Sequence, residues 1–461
     1  MLFRRCYLDS LAQASYVLAD GDEAAVVDPR RDVDEYLAIC KQHGLRLRWA
    51  LATHVHADFV AGLAELHAAT GAEIGMGARF DGELPCTRLD DGHELMLGSV
   101  RISVIPTPGH TPESVSYLLH PGEGQADKLL SGDALFLGDV GRPDLVSARG
   151  FSARDMAKTL WHSLHDRLAK LPDATEVWPA HGAGSACGTA IGCEESSTIG
   201  LQRLGNWAFG VHDPELFATK LIENQRPAPR YFAVAAAMNR HGPRLLAELP
   251  ALPQLGAGAV TRALANGAVL LDTRSAAQHA AGHWPSAIGI GLRDSFEPWC
   301  GALLPLEAEV VVHTTTAEQA AEIRLRLLRI GNEHLAGWTE ALPAAPAQLR
   351  QVDAAELFVD LESARPWQVI DVRRPAEFAA GHVEGAVHAE LGPALGAAAS
   401  LERLDRASPT AVICETGYRS TAAAALLREA GFTQVANVRD GMVGWRANCL
   451  PCVRLAATGS S

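Results

Sequence analysis

The chain has 461 residues, 48% of them hydrophobic and 20% charged, a composition and length that suit roughly three soluble globular domains. Its formal net charge of −14 excludes nucleic acid as a partner, because phosphate recognition needs a concentrated basic surface. No apolar run is long enough for a bilayer, and the first residues lack the apolar stretch and cleavage site of a secretion signal, so no membrane is expected as a partner and the cytoplasm is the expected location.

Over the first 200 residues, short β-rich runs ("AAVVDP", "WALATH", "VRISVIPTP", "KLLSGDALFLG", "EVWPAHG") alternate with helical stretches such as 32–43, an α/β layered pattern. Histidines and aspartates fall at the ends of those strands, where Gly and Pro turns expose functional side chains. Residues 201 to about 250 read as helical and peripheral. The Pro-, Gly- and Ala-rich stretch 247–259 is a linker, and a second boundary falls near 341–348. Beyond the first linker the chain repeats itself. "LLDTRSAAQHAAGHWPSAIGI" aligns with "VIDVRRPAEFAAGHVEGAVHA", and "VVHTTTAEQAAEIRLRLLRIGN" with "AVICETGYRSTAAAALLREAGF", each reading as strand, loop and helix. The expected domains are therefore 1–250, 256–345 and 350–461. Nine cysteines without disulfide-framework spacing point to mostly reduced thiols.

The first domain carries His54, His56 and Asp58 in "THVHADFVAG", then His110 in "TPGHTPES", Asp133 in "LSGDALF" and His181 in "WPAHGAG". A lone histidine is more often a satisfied structural residue than a ligand, but six ligand-type residues recurring at strand ends are not explained that way. The set resembles the metallo-β-lactamase superfamily over about residues 1–200, which implies an αββα sandwich. In dinuclear members of that superfamily one metal takes the residues matching His54, His56 and His110. The other takes those matching Asp58, position 59 and His181, and Asp133 bridges. Position 59 is Phe59, which offers no lone pair, so one metal is expected here.

The branch of the superfamily with a single iron is the sulfur (persulfide) dioxygenases. That resemblance implies one Fe(II) per chain held by His54, His110 and Asp133, a two-histidine, one-carboxylate face that leaves positions for O2 and an anionic sulfur substrate. It makes His56, Asp58 and His181 groups that orient ligands and bound water. "GDVGRPDL", 138–145, also resembles the dioxygenase pattern and places Arg142 near substrate; the plain alternative is a turn arginine.

The repeated module resembles rhodanese sulfurtransferases, with Asp272, Arg274, Gly282 and His283 in one copy and Asp371, Arg373, Gly381 and His382 in the next. Only the second copy has the CxxGxR[ST] loop, "CETGYRS", 414–420. Backbone N–H groups and a helix N-terminus favour a thiolate there, so Cys414 is the expected nucleophile, with Arg419 holding the anionic partner and Glu415, Thr416, Gly417, Tyr418 and Ser420 forming the substrate loop. Glu415 adds a negative charge that disfavours strongly anionic donors. The first copy has Thr314 at the aligned position, without the loop glycine or arginine, and is expected to be inactive.

The order of parts resembles bacterial persulfide dioxygenase and rhodanese fusion proteins. What this implies is sulfide detoxification: a small thiol persulfide and O2 give sulfite at the iron, and sulfur carried on Cys414 converts sulfite into thiosulfate. Homo-oligomerisation is expected. Where single-domain glutathione persulfide dioxygenases follow the late histidine with Asp-Tyr, this chain has Gly182 and Ala183, so the thiol carrier stays open between glutathione, coenzyme A, cysteine and another small thiol. Cys187 is a candidate sulfur relay, with a packed residue as the alternative, and Cys449 and Cys452 form a CxxC pair of open role. Two other readings remain: a dinuclear zinc thioester hydrolase of the glyoxalase II type with an appended sulfurtransferase, and a non-catalytic persulfide carrier or sensor.

Overall fold

A computed structural model of the chain describes residues 1–223, 225–293, 295–362 and 367–455. It divides into two compact units, one of residues 1–250 with 326–331, the other of 251–325 and the chain from 332 onward. The first family resemblance concerns the former, the second the latter.

The first unit contains two six-stranded sheets. One has the strands in chain order, Leu2–Leu8, Gln13–Asp20, Glu23–Val27, Arg46–Leu51, Glu73–Gly77 and Thr87–Leu89. The other runs Ser197–Thr198, Glu176–Pro179, Lys128–Gly132, Val115–His120, Val100–Pro106, Glu94–Leu97. Side-chain alternation decides the layers. In strand Val100–Pro106, Val100, Ile102 and Val104 are buried while Arg101 is exposed. Those three join Tyr16, Leu18, Val27 and Leu51 of the first sheet in a core between the sheets. In strand Val115–His120 both faces are buried: Tyr117 and Leu119 enter that core, whereas Leu118 joins a second core with Leu160 and Phe217 from helices Ala153–His162 and Pro214–Glu223. Helix, sheet, sheet and helix layers follow from this alternation.

The same topology gathers the strand ends. Glu23–Val27 and Arg46–Leu51 are parallel. Lys128–Gly132 is parallel to Glu176–Pro179, and two antiparallel steps through Val115–His120 make Val100–Pro106 parallel to both. The C-terminal ends of these strands lie on a common edge of each sheet, and the turns after them carry Asp28, His54, His110, Asp133 and His181.

The second unit holds two parallel sheets. The first module has the order Ile288–Gly289, Val269–Asp272, Val310–His313, Leu335–Thr339; the second has Arg350–Val352, Val435–Val438, Thr410–Ile413, Gln368–Asp371, Val387–His388. Strands such as "VVVH" and "TAVI" are buried throughout, as expected for parallel strands covered on both faces. Thr410–Ile413 lies inside its sheet between two neighbours, so the loop beginning at Cys414 opens at the carboxyl edge, where open α/β sheets place ligands. No helix among the described residues is long and apolar enough to cross a membrane.

Candidate metal centre and sulfur-transfer loop

His54, His110 and Asp133 converge. One ligand atom from each lies within 4.8 Å of the others, and all three residues are buried. His54 Nε2 is 3.7 Å and His110 Nε2 3.5 Å from Asp133 Oδ2. None of these three atoms has a hydrogen-bond partner among the described residues. Three buried polar atoms facing one another without partners are costly unless a cation lies between them, so the donor set fits a metal.

The opposite atoms of the same side chains fix their tautomers. The Thr53 hydroxyl donates to Asp28 Oδ2 at 2.9 Å, so it accepts from His54 Nδ1, also 2.9 Å away. His110 Nδ1 donates to the Arg142 carbonyl at 2.8 Å. Each ring therefore turns an Nε2 lone pair toward the site. Burial and then the neighbouring His56 hold His54 well below the ordinary histidine range, and burial lowers His110, so both rings are neutral as ligation requires. Burial opposes charge on Asp133, but His181 and His54 outweigh it and keep the carboxyl ionised.

Three more of the residues picked out by sequence form a second buried group, Asp58, His181 and Cys187, whose ligand atoms also lie within 4.8 Å of one another. Here the arrangement differs. His181 is clamped between two carboxylates, Nδ1 at 2.8 Å from Asp133 Oδ1 and Nε2 at 2.8 Å from Asp58 Oδ2. Burial disfavours its charge, yet Asp133 and Asp58 raise it well above the ordinary value. A ring that donates from both nitrogens has no lone pair to offer. Burial, reinforced by Asp58 and Asp133, pushes the Cys187 thiol well up, so the setting does not activate it as a nucleophile.

Phe59 is 1% exposed and its ring lies 4.3 Å from that of His56. It sets a buried apolar ring against His56. The His56 ring lies 4.1 Å from that of His54, with Nε2 2.9 Å from Asp28 Oδ1, and neither of its nitrogens makes a hydrogen bond among the described residues.

Sequence reasoning missed several residues that hold this site. Asp28, at φ +52°, accepts from both the amide and the hydroxyl of Thr53; its position at a strand end, in "VVDP", was the available signal. Glu113 accepts from the Val55 amide at 3.0 Å. Asn239 donates to the carbonyls of His56 and Phe59 and accepts from the Ala61 amide. It is 4% exposed and sits on helix Tyr231–His241, in the stretch expected to be peripheral. Nothing in the local sequence marks it.

At Gly141 an added Cβ would come within 2.0 Å of the Asp133 carbonyl and 2.9 Å of His110 Nδ1. Bare backbone is required for the next residue, Arg142, to offer its carbonyl to His110. The Arg142 guanidinium is itself committed: Nε and Nη2 each donate to Asp144 at 2.7 Å, with further bonds to the carbonyls of Ala186 and Arg226. Its contact with the site is through the main chain. A cavity of about 270 Å3 adjoins the histidine loop, bounded by Val55, Ala57 and Phe232 and by Arg149, Arg230 and Arg240, three arginines the sequence reading did not single out.

In the second unit Cys414 is buried, and the Ser420 hydroxyl donates to its Sγ at 3.3 Å. The loop is shaped by Gly417, at φ +80°, where a Cβ would meet the Arg439 carbonyl at 2.3 Å. Helix Tyr418–Glu429 then begins, directing its first amide groups to the loop. Arg419 is gripped by Glu377 through paired bonds of 2.8 and 2.6 Å, which fixes the guanidinium in the loop. Glu415 lies 3.4 Å from Arg373 and also pairs with Arg446, so its charge is met by two guanidinium groups. Tyr418 donates its hydroxyl to the Gly291 carbonyl of the first module at 2.8 Å. In that first module Thr314 donates to Gln319, and the aligned loop has no thiol. Cys449 and Cys452 are exposed and unbridged.

Residues 8–181 match the metallo-beta-lactamase superfamily and residues 354–448 match the rhodanese-like domain. The chain is 39% identical over 168 residues to the hydroxyacylglutathione hydrolase of Anaeromyxobacter dehalogenans, covering 36% of this chain and 60% of that protein. It is 29% identical over 184 residues to the Homo sapiens mitochondrial persulfide dioxygenase ETHE1, covering 39% of this chain and 68% of that protein. A solved metallo-beta-lactamase from Staphylococcus aureus is 31% identical with a TM-score of 0.65, over 74% of this chain and 98% of its own. The chain belongs to the metallo-beta-lactamase superfamily, with a rhodanese-like domain following. Persulfide dioxygenases and glyoxalase II-type hydrolases both stand among its relatives, and its donor set is that of a histidine and aspartate metal site in an enzyme.

Proposed function

We propose that this protein is a mononuclear iron persulfide dioxygenase coupled to a sulfurtransferase, taking a small thiol persulfide and O2 to sulfite and then to thiosulfate. The observation that carries the reading is the asymmetry of the metal-binding region. His54 Nε2, His110 Nε2 and Asp133 Oδ2 face one another without partners, while His181 has both nitrogens bound to carboxylates and Phe59 stands where a second metal would need a ligand. Three donors on one side suit ferrous iron, which supplies the O2 chemistry and leaves room for a sulfur anion.

The protein's own groups supply the rest. Thr53 and the Arg142 carbonyl keep the two imidazoles oriented. Asp58 and Asp133 hold a proton on His181 at the edge of the site, and Phe59 sets a buried apolar ring against His56. Arg230, with Arg149 and Arg240 that pair with Asp81, gives the adjoining cavity cationic groups for an anionic thiol, beside the carboxylates of Glu113 and Asp144. The overall change balances as RSSH, O2 and H2O giving RSH, sulfite and two protons. At the loop, the Cys414 thiolate attacks the outer sulfur of a second persulfide, the S–S bond breaks, and RS− leaves. Sulfite then takes that sulfur as thiosulfate and restores the Cys414 thiolate, with no net oxidation.

A dinuclear hydrolase is the second reading, favoured by the clustering of Asp58, His181 and Cys187 and by the hydroxyacylglutathione hydrolase relative. In the conformation described, the 2.8 Å contact between His181 and Asp58 leaves no space for an ion between them. Metal analysis of purified protein with an oxygen electrode separates the two. One iron per chain with O2 uptake on glutathione persulfide is expected. Two zinc ions per chain with cleavage of S-lactoylglutathione and no O2 uptake would overturn the proposal.

A further inference from the structure

A cleft of about 960 Å3 opens between the two repeated modules of the second unit. Alanines 276, 277, 280 and 281 of the first module form one side, and Arg350, Trp367, Arg428 and Arg439 of the second form the other. A smaller cavity of about 350 Å3 shares Ser275, Ala276, Arg293 and Arg439 with it and is bounded by Thr416, Gly417 and Tyr418 of the Cys414 loop. The two spaces thus adjoin, one end reaching the loop.

Their lining carries arginine and no carboxylate. Arg274, Arg293, Arg350, Arg428 and Arg439 line the two spaces, and no Asp or Glu among the described residues does. Behind the lining, Arg274 pairs with Asp272 at 2.7 Å, Arg439 with Asp353 at 2.7 Å and Arg350 with Asp360 at 3.6 Å. Arg428 is the informative member. Its Nη1 donates to His283 Nε2 at 3.2 Å and its Nη2 to the Gln348 carbonyl at 2.7 Å. His283 Nδ1 donates to the His279 carbonyl, which makes Nε2 the acceptor, and burial together with His279 pushes His283 down to about 4. Both partners of Arg428 are therefore neutral, and no carboxylate among the described residues offsets the half-buried cation, whose pKa burial lowers from its ordinary value. Arg350 lies 4.5 Å over the Trp367 ring, presenting a cation beside an aromatic surface.

Sulfite or thiosulfate would occupy a small part of this volume, which matches that of sites for nucleotide-sized ligands. Arg428, whose two hydrogen-bond partners are neutral, suits a phosphate group, Arg350 and Arg439 add cationic groups at the same wall, and the alanine and tryptophan surfaces suit an organic body. We propose that the cleft binds the phosphorylated tail of a low-molecular-weight thiol, with the thiol end entering the cavity at the Cys414 loop. The thiol's service as the persulfide carrier rests on the function proposed above; the binding itself does not. The first module, which has lost its own thiol, then acts as a wall of the binding site of the second.

Titration calorimetry on the full chain tests this with coenzyme A, pantetheine and glutathione as probes. Coenzyme A is expected to bind at least about tenfold more tightly than the other two, with an affinity that falls as salt rises, since the loss of one charged contact is worth about that factor. Arg428→Gln should weaken coenzyme A at least about tenfold, and Ala277→Trp, at an exposed position on the cleft wall, should do the same by filling space, both with unchanged melting temperatures. Pantetheine or glutathione binding as tightly as coenzyme A would overturn the assignment, as would full affinity in the two variants or no binding at all. Oxygen uptake on persulfide is measured separately, so failure of the dioxygenase reading leaves the calorimetric answer standing.

Discussion

The metal-binding region and the Cys414 loop reach a reactive anion site by opposite constructions. The first is assembled from turns spread between Asp28 and His181, with a clamp from Asn239, and its polar atoms are side chains. The second is a single run, 414–420, shaped by a glycine and a helix start, with Arg419 held from one side by Glu377. An assembled site depends on distant residues that never touch the ligand, whereas a contiguous loop depends on its own conformation. Substitutions in the first should act at a distance, and those in the second locally.

The largest effect tests whether the two centres are separable. His110→Ala should abolish iron retention and O2 consumption while sulfur transfer by Cys414 stays measurable; loss of both activities together would join what the comparison divides. Cys414→Ser is the mirror experiment: thiosulfate formation falls by at least about a thousandfold while sulfite accumulates at the parental rate, read by product analysis. Phe59→His probes the asymmetry inside the metal-binding region. Metal content should rise from one ion toward two per chain, and O2 uptake should fall by about tenfold or more as His181 is drawn from Asp58 to a cation.

Action at a distance is sharpened by Asn239→Ala. Two backbone carbonyls and one amide lose their buried partner, a cost of roughly 2–4 kcal/mol, seen as a lower urea midpoint with unchanged slope. The smallest effect concerns Glu377 in the loop. Burial would raise this carboxyl, but its bonds to Arg419 dominate and bring it from 4.5 down to about 2. A depressed carboxyl contributes stability that is present above 4.5 and is lost as pH falls toward 2. Unfolding followed over that range should show the wild type losing stability with acid and Glu377→Gln losing less.

The contrast also accounts for what the sequence disclosed. His54, His110, Asp133 and Cys414 were legible because each ends a strand in a short motif, and the layers were legible from period-two alternation such as that of Val100, Ile102 and Val104. Phe59 was legible as a ring without a lone pair directly after the ligand-type residue Asp58. The supports were not. Asn239 is a polar residue in an ordinary amphipathic helix, and only the tertiary fold brings it against a loop nearly two hundred positions earlier in the chain. Arg142 was legible as a residue near the site, but its guanidinium faces Asp144 and its carbonyl faces His110, a distinction between side chain and main chain that spacing does not carry. The role proposed for the first module was hidden for a related reason: its loop has no thiol, and the arginines that would give it a use come from both modules.

Gly141 carries this furthest. It has no side chain with which to ligate or protonate anything, yet one methyl group there would collide with the Asp133 carbonyl and crowd the His110 ring. A mutational screen scored on metal loading should therefore rank this featureless position beside the candidate ligands themselves, and a survey confined to reactive side chains would pass it over.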